Sequence, residues 1–320
     1  MLKAKHILII NDVRIDGDTM GSSLGMHHAL CKFGKHVTHI SPVPIGPTFD
    51  FLPGRSLVTQ DPAVLRDSII DLVVAFDCAD GNHVLDFRSR LPSRPVLISF
   101  DHHITNPRYG DVNIVSPDAS STGEVVWRFL KQNHVPISQE AATCLLTAIC
   151  TDTTFFSNDA TNQVCLEAAS DLGLSGARVH DVVRAFYANK PVSLLRLWGA
   201  FMERLIKLPD GSVVTYVKRE DVPEDENMDL DTSALANFLM SSVSGAPIVC
   251  VLSEKLDGSV KFGLRGSSRD VSEIALRHGG GGHVKAAGFS VPAASVVVKD
   301  GGIFVRRGDG NDVAVYEYLE

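Results

Sequence analysis

The sequence of 320 residues predicts an α/β protein, in which a parallel-sheet N-terminal domain is followed by a smaller α+β C-terminal domain. Its length suits two domains of ordinary size. The first half alternates near-continuous apolar runs of strand length with helix-like segments, which is typical of a parallel sheet covered on both faces. From Gly211 onward strand-like runs dominate, which indicates a separate α+β unit.

The elements of the first domain follow from these patterns. Its strands are expected at 6–10, 36–41, 68–77, 94–101 and 112–116. Its helices are expected at 19–33, 123–133, 139–151, 162–172 and 178–187. The helix at 123–133 begins with a capping pattern, because Ser121 or Thr122 precedes an apolar run and Glu124 lies in the first turn.

A helix at 188–207, opened by Pro191 and apolar at helical spacing, is predicted to link the two domains. The domains are therefore placed at 1–187 and 208–320. In the second domain, strands are expected at 211–218, 246–254 and 259–266, and helices near 232–241 and 270–278. Beyond residue 290, turn signals separate short strand-like runs, whose role the sequence does not reveal.

Composition narrows the classes of partner. The net charge of -8 argues against tight binding of long duplex nucleic acid, which requires clustered Lys and Arg. A short anionic ligand remains compatible, because bound divalent metals supply local positive charge. No apolar run approaches the roughly 20 residues of a membrane span. The six cysteines form no CxxC pair, and this favours small buried side chains in a reduced, cytoplasmic setting.

Acidic residues recur where the predicted strands end. A lone aspartate there is usually a turn residue or a helix cap, and Asp16 and Asp18 could cap the first helix. In parallel α/β sheets, however, ligands bind beyond the carboxyl ends of the strands, so four such clusters should converge. Crowded carboxylates need cations to remain ionised together, which predicts a binuclear metal site. The clusters contain Asp12, Asp16 and Asp18; Asp77 and Asp80; Asp101, His102 and His103; and Asp152.

The segments IDGDTMGSS, VVAFDCAD, FDHHITN and AICTDTTFF resemble the four motifs of the DHH phosphoesterase family. The stretch GLRGSSRDVSEIALRHGGGGHVKAAGF resembles the substrate-binding domain that accompanies them. Length and domain plan are similar to the branch of oligoribonucleases (nanoRNases) and pAp phosphatases. The resemblance implies a catalytic metal-binding domain, a substrate-binding domain, two divalent metal ions and a possible homodimer.

Carried over by residue, the resemblance implies a shared metal site. Asp16 would bind the first metal and Asp18 the second, and Asp77 would bridge both. His102 would bind the second metal. Asp152 would complete the second site or act as a further bridge.

Two catalytic roles and two departures also follow from the resemblance. His103 would face the scissile phosphate, and Asp101 would orient the neighbouring histidine. Most relatives have histidine where this chain has Asp12, which is expected to bind the first metal or else to fall short of it. An oxygen-rich first site favours Mn²⁺, with Mg²⁺ as the alternative. Thr154 stands where many relatives have glycine, and it could narrow the pocket beside Asp152.

The four consecutive glycines at 279–282 allow backbone amides to approach an anion closely, although such a run can also be a flexible linker. Residues assigned to substrate binding are Arg265, Gly280, Gly281, Gly282 and His283. Arg269 and Lys285 are weaker candidates.

These observations and the resemblance together predict an enzyme that hydrolyses short oligoribonucleotides, such as the dinucleotide pApA, to mononucleotides. A pAp 3′-phosphatase or a cyclic-dinucleotide phosphodiesterase would use the same site. A non-catalytic nucleotide-binding protein, with its first metal site degraded at Asp12, is the alternative of a different class.

Overall fold

The computed structural model of the chain describes residues 3–66, 69–188, 191–222 and 228–320. It divides into two compact units, Met1–Asn189 and Lys190–Glu320. The predicted α/β class is confirmed, since the first unit is built on a six-stranded parallel sheet and the second is smaller and rich in antiparallel strands.

The sheet of the first unit has the strand order β3-β2-β1-β4-β5-β6, and all of its pairs are parallel. Its strands are β1 (His6–Ile10), β2 (His36–Ile40), β3 (Val58–Thr59), β4 (Leu72–Phe76), β5 (Val96–Asp101) and β6 (Val112–Val115). The run predicted at 68–77 shortens to β4, and residue 68 lies outside the described residues. The order reverses between β1 and β4, and such a switch point opens a crevice at the carboxyl ends of the strands.

The described part of the first unit also contains six helices. They are α1 (Gly17–Lys32), α2 (Asn82–Ser89), α3 (Thr122–Gln132), α4 (Gln139–Asp152), α5 (Gln163–Leu174) and α6 (Val179–Tyr187). Helix α1 packs closely on α4, because a Cβ at Gly21 would stand 2.4 Å from the carbonyl oxygen of Cys144. Strands β1 and β4 are buried on both faces, which explains their near-continuous apolar sequences.

The second unit has a six-stranded sheet of order β11-β12-β10-β9-β8-β7 and a three-stranded sheet of order β13-β14-β15. Its strands are β7 (Ile206–Lys207), β8 (Val213–Val217), β9 (Ile248–Glu254), β10 (Val260–Gly266), β11 (Gly281–His283), β12 (Ala286–Val291), β13 (Ala294–Lys299), β14 (Gly302–Arg307) and β15 (Asp312–Ala314). Its helices are α7 (Val192–Glu203), α8 (Met228–Ser242), α9 (Val271–Arg277) and α10 (Val315–Leu319).

The helix expected at 188–207 is observed as α7, while residues 189 and 190 lie outside the described residues. Its buried side chains Leu194, Leu197 and Phe201 share a core with residues of β8 and β9. The linking helix of the sequence prediction therefore packs within the second unit.

The tail beyond residue 290 closes the second core. Val296 of β13, Val305 of β14 and Tyr318 of α10 are buried in one cluster with Phe262 of β10. All six cysteines are free, and five of them are buried, as the sequence predicts. Among the described residues, no helix has both the length and the apolar character needed to cross a membrane.

Candidate metal centre

Four of the predicted metal ligands meet at the carboxyl edge of the first sheet, with His102 in the middle. The Nε2 atom of His102 lies 3.7 Å from Oδ2 of Asp18 and 3.9 Å from Oδ1 of Asp77. It also lies 3.2 Å from Oδ2 of Asp152. Residues far apart in sequence converge here because α1 follows β1 and the loops after β4 and β5 leave the same edge.

The ring orientation of His102 is suited to metal binding. Its Nδ1 atom lies 3.3 Å from the carbonyl oxygen of Ala119, which can only accept, so Nδ1 carries the proton. The lone pair on Nε2 therefore points to the carboxylates, and burial lowers the pKa of the ring. A neutral imidazole held by a backbone carbonyl is the usual state of a metal-bound histidine.

Asp18 of α1 is fully buried, and its side chain faces the first turn of α3. Its two oxygens accept hydrogen bonds from the backbone amides of Thr122, at 2.7 Å, and Gly123, at 2.8 Å. Burial raises the pKa of this carboxyl well above its usual value, and repulsion from Asp77 and Asp152 raises it further. The helix N-terminus supplies only partial positive charge, so an ionised Asp18 needs a further cation.

Asp77 follows β4 directly and adopts a left-handed backbone conformation, with φ of 60°. The hydroxyl of Thr19 donates to its Oδ2 at 2.7 Å, and that of Thr122 donates to its Oδ1 at 3.1 Å. Burial raises the pKa of Asp77, and the charges of Asp16 and Asp152 raise it further. The two hydroxyls hold the carboxylate in one orientation and leave lone pairs on both oxygens.

Asp152 is the last residue of α4, where the helix dipole disfavours an anion. Burial raises its pKa to about 7, and the neighbouring charge of Asp16 contributes. Asp16 itself caps α1, because its Oδ1 accepts from the amide of Thr19 at 2.9 Å. The capping role considered for Asp16 is thus observed, and its charge also acts on the cluster.

The donor set fits divalent metal ions. Ligand atoms of Asp18, His102 and Asp152 lie within 4.8 Å of one another, as do those of Asp77, His102 and His103. Within the described part of the chain, Asp18, Asp77 and Asp152 form ion pairs only with histidines. Buried like charges without Lys or Arg partners are stable as anions only with bound cations.

His103 is oriented by hydrogen bonds that run through Asp101 to Asn106. Its Nδ1 donates to Oδ1 of Asp101 at 2.7 Å, and this bond raises the pKa of His103 to about 9. Burial would raise the pKa of Asp101, but hydrogen bonds from His103 and Asn106 keep it below its usual value. The amide of Asn106 donates to Oδ2 of Asp101 at 2.6 Å. Sequence reasoning missed Asn106, although it lies in the FDHHITN segment.

Asp12 has different neighbours from the other predicted ligands. Its carboxylate accepts from the amide of Val13 at 2.7 Å and from Nε of Arg14 at 3.2 Å. Its Oδ1 lies 3.9 Å from Nδ1 of His83, and Cys78 offers a third ligand atom nearby. Sequence reasoning did not identify His83 or Cys78, since no recognised metal-binding spacing connects them to Asp12.

The predicted substrate-binding residues lie in the second unit. The guanidinium of Arg265 donates to Oδ1 of Asn237 at 2.6 Å and to the carbonyl oxygen of Leu264 at 2.9 Å. Burial lowers its pKa, and the described side chains include no carboxylate paired with it. Arg269, by contrast, pairs with Asp210 at 3.4 Å. Arg265 is therefore the better candidate for binding an anion.

The glycine run has two structural roles. Gly281 and Gly282 belong to β11, which pairs with β12, and a Cβ at Gly280 or Gly282 would collide with that strand at 2.2 or 2.4 Å. A Cβ at Gly281 would meet nothing within 4 Å. His283 and Lys285 are exposed. Close packing on β12 thus accounts for Gly280 and Gly282, whereas Gly281 faces open space.

Comparison with known proteins agrees with this geometry. The model of the DHH family N-terminal domain matches residues 6–149, and that of the DHHA1 domain matches residues 211–299. The chain is 31% identical to the bifunctional oligoribonuclease and PAP phosphatase NrnA of Thermus thermophilus, over 89% of this chain and 84% of the relative. It is 27% identical to a probable bifunctional oligoribonuclease and PAP phosphatase NrnA of Streptococcus mutans, over 90% of each chain.

Among solved structures, an exopolyphosphatase-related protein from Bacteroides fragilis superposes with a TM-score of 0.77 at 25% identity, covering 89% of this chain and 86% of that one. The matched ranges include Asp18, Asp77 and His102 of the cluster, together with the glycine run, and Asp152 follows the first range by three residues. The chain therefore belongs to the DHH family of phosphoesterases, which use divalent metal ions.

Proposed function

We propose that this protein hydrolyses short oligoribonucleotides, such as pApA, to mononucleotides, and that it also removes the 3′-phosphate of pAp. The observation that carries the proposal is the cluster at the switch point of the sheet, in which the buried Asp18 and Asp77 meet the partly buried His102 and Asp152. The printed names of the two relatives above combine both activities, and this supports one site acting on both substrates.

Two divalent ions would be held by Asp16, Asp18, Asp77, His102 and Asp152. These donors are carboxylate oxygens with a single imidazole nitrogen, which favours Mn²⁺ and accommodates Mg²⁺. When bound, such ions lower the pKa of a water molecule and stabilise the charge of a phosphoryl group. The chain itself orients the ligands, through Thr19 and Thr122 for Asp77 and through the start of α3 for Asp18.

His103 is proposed as the proton donor. Since Nδ1 is hydrogen-bonded to Asp101, the protonated ring would offer its Nε2–H to the phosphoryl oxygen or to the leaving oxygen of a bound substrate. Asn106 and Asp101 act as positioning residues, because their hydrogen bonds limit rotation of the ring. The hydrogen bond to Asp101 raises the pKa of His103, which favours the charged ring that a proton donor requires.

Arg265 is proposed to bind the part of the substrate remote from the metals. Its guanidinium is desolvated and has no carboxylate partner among the described side chains, and this arrangement favours a phosphate. Gly281 and His283 would contribute from β11. Short substrates are expected because the net charge of -8 disfavours a long polyanion.

The decisive assay compares hydrolysis of pApA, longer RNA, pAp and cyclic di-AMP in the presence of Mn²⁺. The wild type should turn over pApA best, with pAp second. Asp77→Asn should lose nearly all turnover, because a neutral amide cannot hold two cations. Asp86→Asn, an exposed change on α2, is the matched control and should keep full activity. Full activity of Asp77→Asn would refute the assigned site.

Two further proposals, one from the resemblance and one from the cysteines, need separate measurements. A homodimer is proposed, and light scattering on the purified chain would contradict it by giving a mass near the 34.6 kDa of one chain. A cytoplasmic location is proposed from the reduced cysteines, and cell fractionation would test it.

A further inference from the structure

We propose that Asp12, Cys78 and His83 form a separate site for a borderline-soft transition metal, with Zn²⁺ the expected ion. Asp12 follows β1 by two residues, Cys78 follows β4 by two residues, and His83 lies in the first turn of α2. The site does not depend on the substrate proposed above. It concerns residues that share no ligand with the carboxylate cluster around His102.

The protonation of His83 prepares it for metal binding. Its Nε2 lies 3.0 Å from the backbone carbonyl oxygen of Asn11, which can only accept, so Nε2 carries the hydrogen. The Nδ1 atom then holds the free lone pair of the ring, and it lies 3.9 Å from Oδ1 of Asp12. Two electron-pair donors facing each other repel, and a cation between them turns this repulsion into attraction.

The distances suit a single ion. Zinc bonds to nitrogen and carboxylate oxygen are each about 2.1 Å long, so one ion can span the 3.9 Å between Nδ1 of His83 and Oδ1 of Asp12. Candidate ligand atoms of all three residues lie within 4.8 Å of one another. The Sγ atom of Cys78 lies 3.8 Å from Nε2 of the His83 ring, so a zinc–sulfur bond of about 2.3 Å requires the thiol and the ring to shift toward a shared position.

The chemistry of the donors separates this site from the proposed catalytic one. Cys78 adds sulfur to one nitrogen and one oxygen donor, and thiolate ligands select zinc over Mg²⁺ or Mn²⁺. Cys78 and Asp12 are 1% and 4% exposed, and the His83 side chain is 15% exposed, so the site is sheltered from water. Three protein ligands also leave a fourth zinc position open.

The existing contacts of these residues are compatible with an incoming ion. Arg14 pairs with Asp12 but is 58% exposed, so its side chain can withdraw into water. The thiol of Cys78 donates to the carbonyl oxygen of Phe76 at 3.1 Å. Zinc binding would release that thiol proton to solvent and replace the weak S–H···O bond with a metal–sulfur bond.

Cobalt substitution tests the proposal without any activity measurement. Co²⁺ bound by a thiolate gives an intense near-ultraviolet charge-transfer band, which carboxylate and imidazole ligands alone do not produce. Metal-free protein titrated with Co²⁺ should develop this band. Addition of Zn²⁺ should then abolish the band by displacing Co²⁺. Cys78→Ser should abolish the band, whereas Cys250→Ser, a buried cysteine of the second unit, should retain it.

A second variant protects the test against misfolding. His83→Asn changes a partly exposed side chain, so it should keep the wild-type circular dichroism spectrum. Zn²⁺ binding measured by calorimetry should weaken tenfold or more, since loss of a residue that only hydrogen-bonds to a metal ligand already costs about 10-fold. Absence of the charge-transfer band in the wild type, or its persistence in Cys78→Ser, would overturn the proposal. Loss of pApA hydrolysis alone would not affect it, because the proposed catalytic cluster contains no cysteine.

Discussion

Mild acid should destabilise the first unit through two buried histidines. His27 of α1 and His39 of β2 are 4% and 1% exposed, and their rings stack with centroids 5.8 Å apart. The Nδ1 atoms of both rings have no hydrogen-bond partner among the described residues. Burial, with a contribution from His28, lowers the pKa of His27 to about 4 from its ordinary 6.5. Burial and the charge of His27 lower that of His39 as well.

The sign and size of this change in stability follow from the linkage between histidine protonation and folding. The folded state favours neutral histidine, so this contribution to stability is fully present above pH 6.5 and is lost as the pH falls toward 4. One pKa unit corresponds to about 1.4 kcal/mol, so His27 should cost about 2 kcal/mol by pH 5 and about 3 kcal/mol at lower pH. His39 adds a loss of the same sign. In metal-free protein the raised carboxyl pKa values of Asp18 and Asp77 oppose it.

The assay is urea unfolding at pH 7 and pH 5, followed by fluorescence in a Trp198→Phe background. Trp127 then reports on the first unit alone. His27→Gln removes one titrating group and leaves the carboxylate cluster unchanged. Its free energy of unfolding should fall by about 2 kcal/mol less than the parent's between the two pH values. An identical fall in parent and variant would refute the reasoning.

Three further predictions concern the backbone and the second unit. Thr154 has a left-handed φ of 48°, so Thr154→Gly should stabilise the first unit by about 0.5–1 kcal/mol in urea unfolding; a loss of stability would show that the turn needs the side chain. Gly281→Ala should leave folding intact and raise the KM for pApA, whereas Gly280→Ala should destabilise the second unit by about 1–3 kcal/mol. Arg265→Ala should raise KM with little change in kcat. The control variant Arg269→Ala should leave KM unchanged, because Arg269 is already ion-paired with Asp210. A large fall in kcat at constant KM would contradict the remote role of Arg265.

Periodicity and strand-end chemistry predicted most of the first unit. The apolar runs of β1, β4 and β5 are buried on both faces, so their sequences carry a clear signal. Strand β3, which has two residues, carries no readable period. The 188–207 helix illustrates another limit, because an apolar face does not reveal which core it enters. It shares its core with β8 and β9.

Topology also explains why some of the predicted site residues lie together in the structure. Asp18, Asp77, His102 and Asp152 end elements that leave the same sheet edge, so topology brings them together. Asp12 shares that edge, but its side chain lies beside His83. Nothing in a one-dimensional pattern states that a histidine in the first turn of α2 reaches back to β1. The packing of Gly280 and Gly282 on β12 could not be predicted from the sequence either, because a glycine-rich segment is compatible with both a loop and an edge strand.

The closure of the second core by the tail has a consequence for synthesis. The first unit is complete by residue 189, so it can fold while later residues are still being translated. The second unit buries Val315, Tyr318 and Leu319 against Phe262, so its core cannot close until these residues have left the ribosome. We therefore expect the first unit, which carries the metal ligands, to reach its native state before the second unit does.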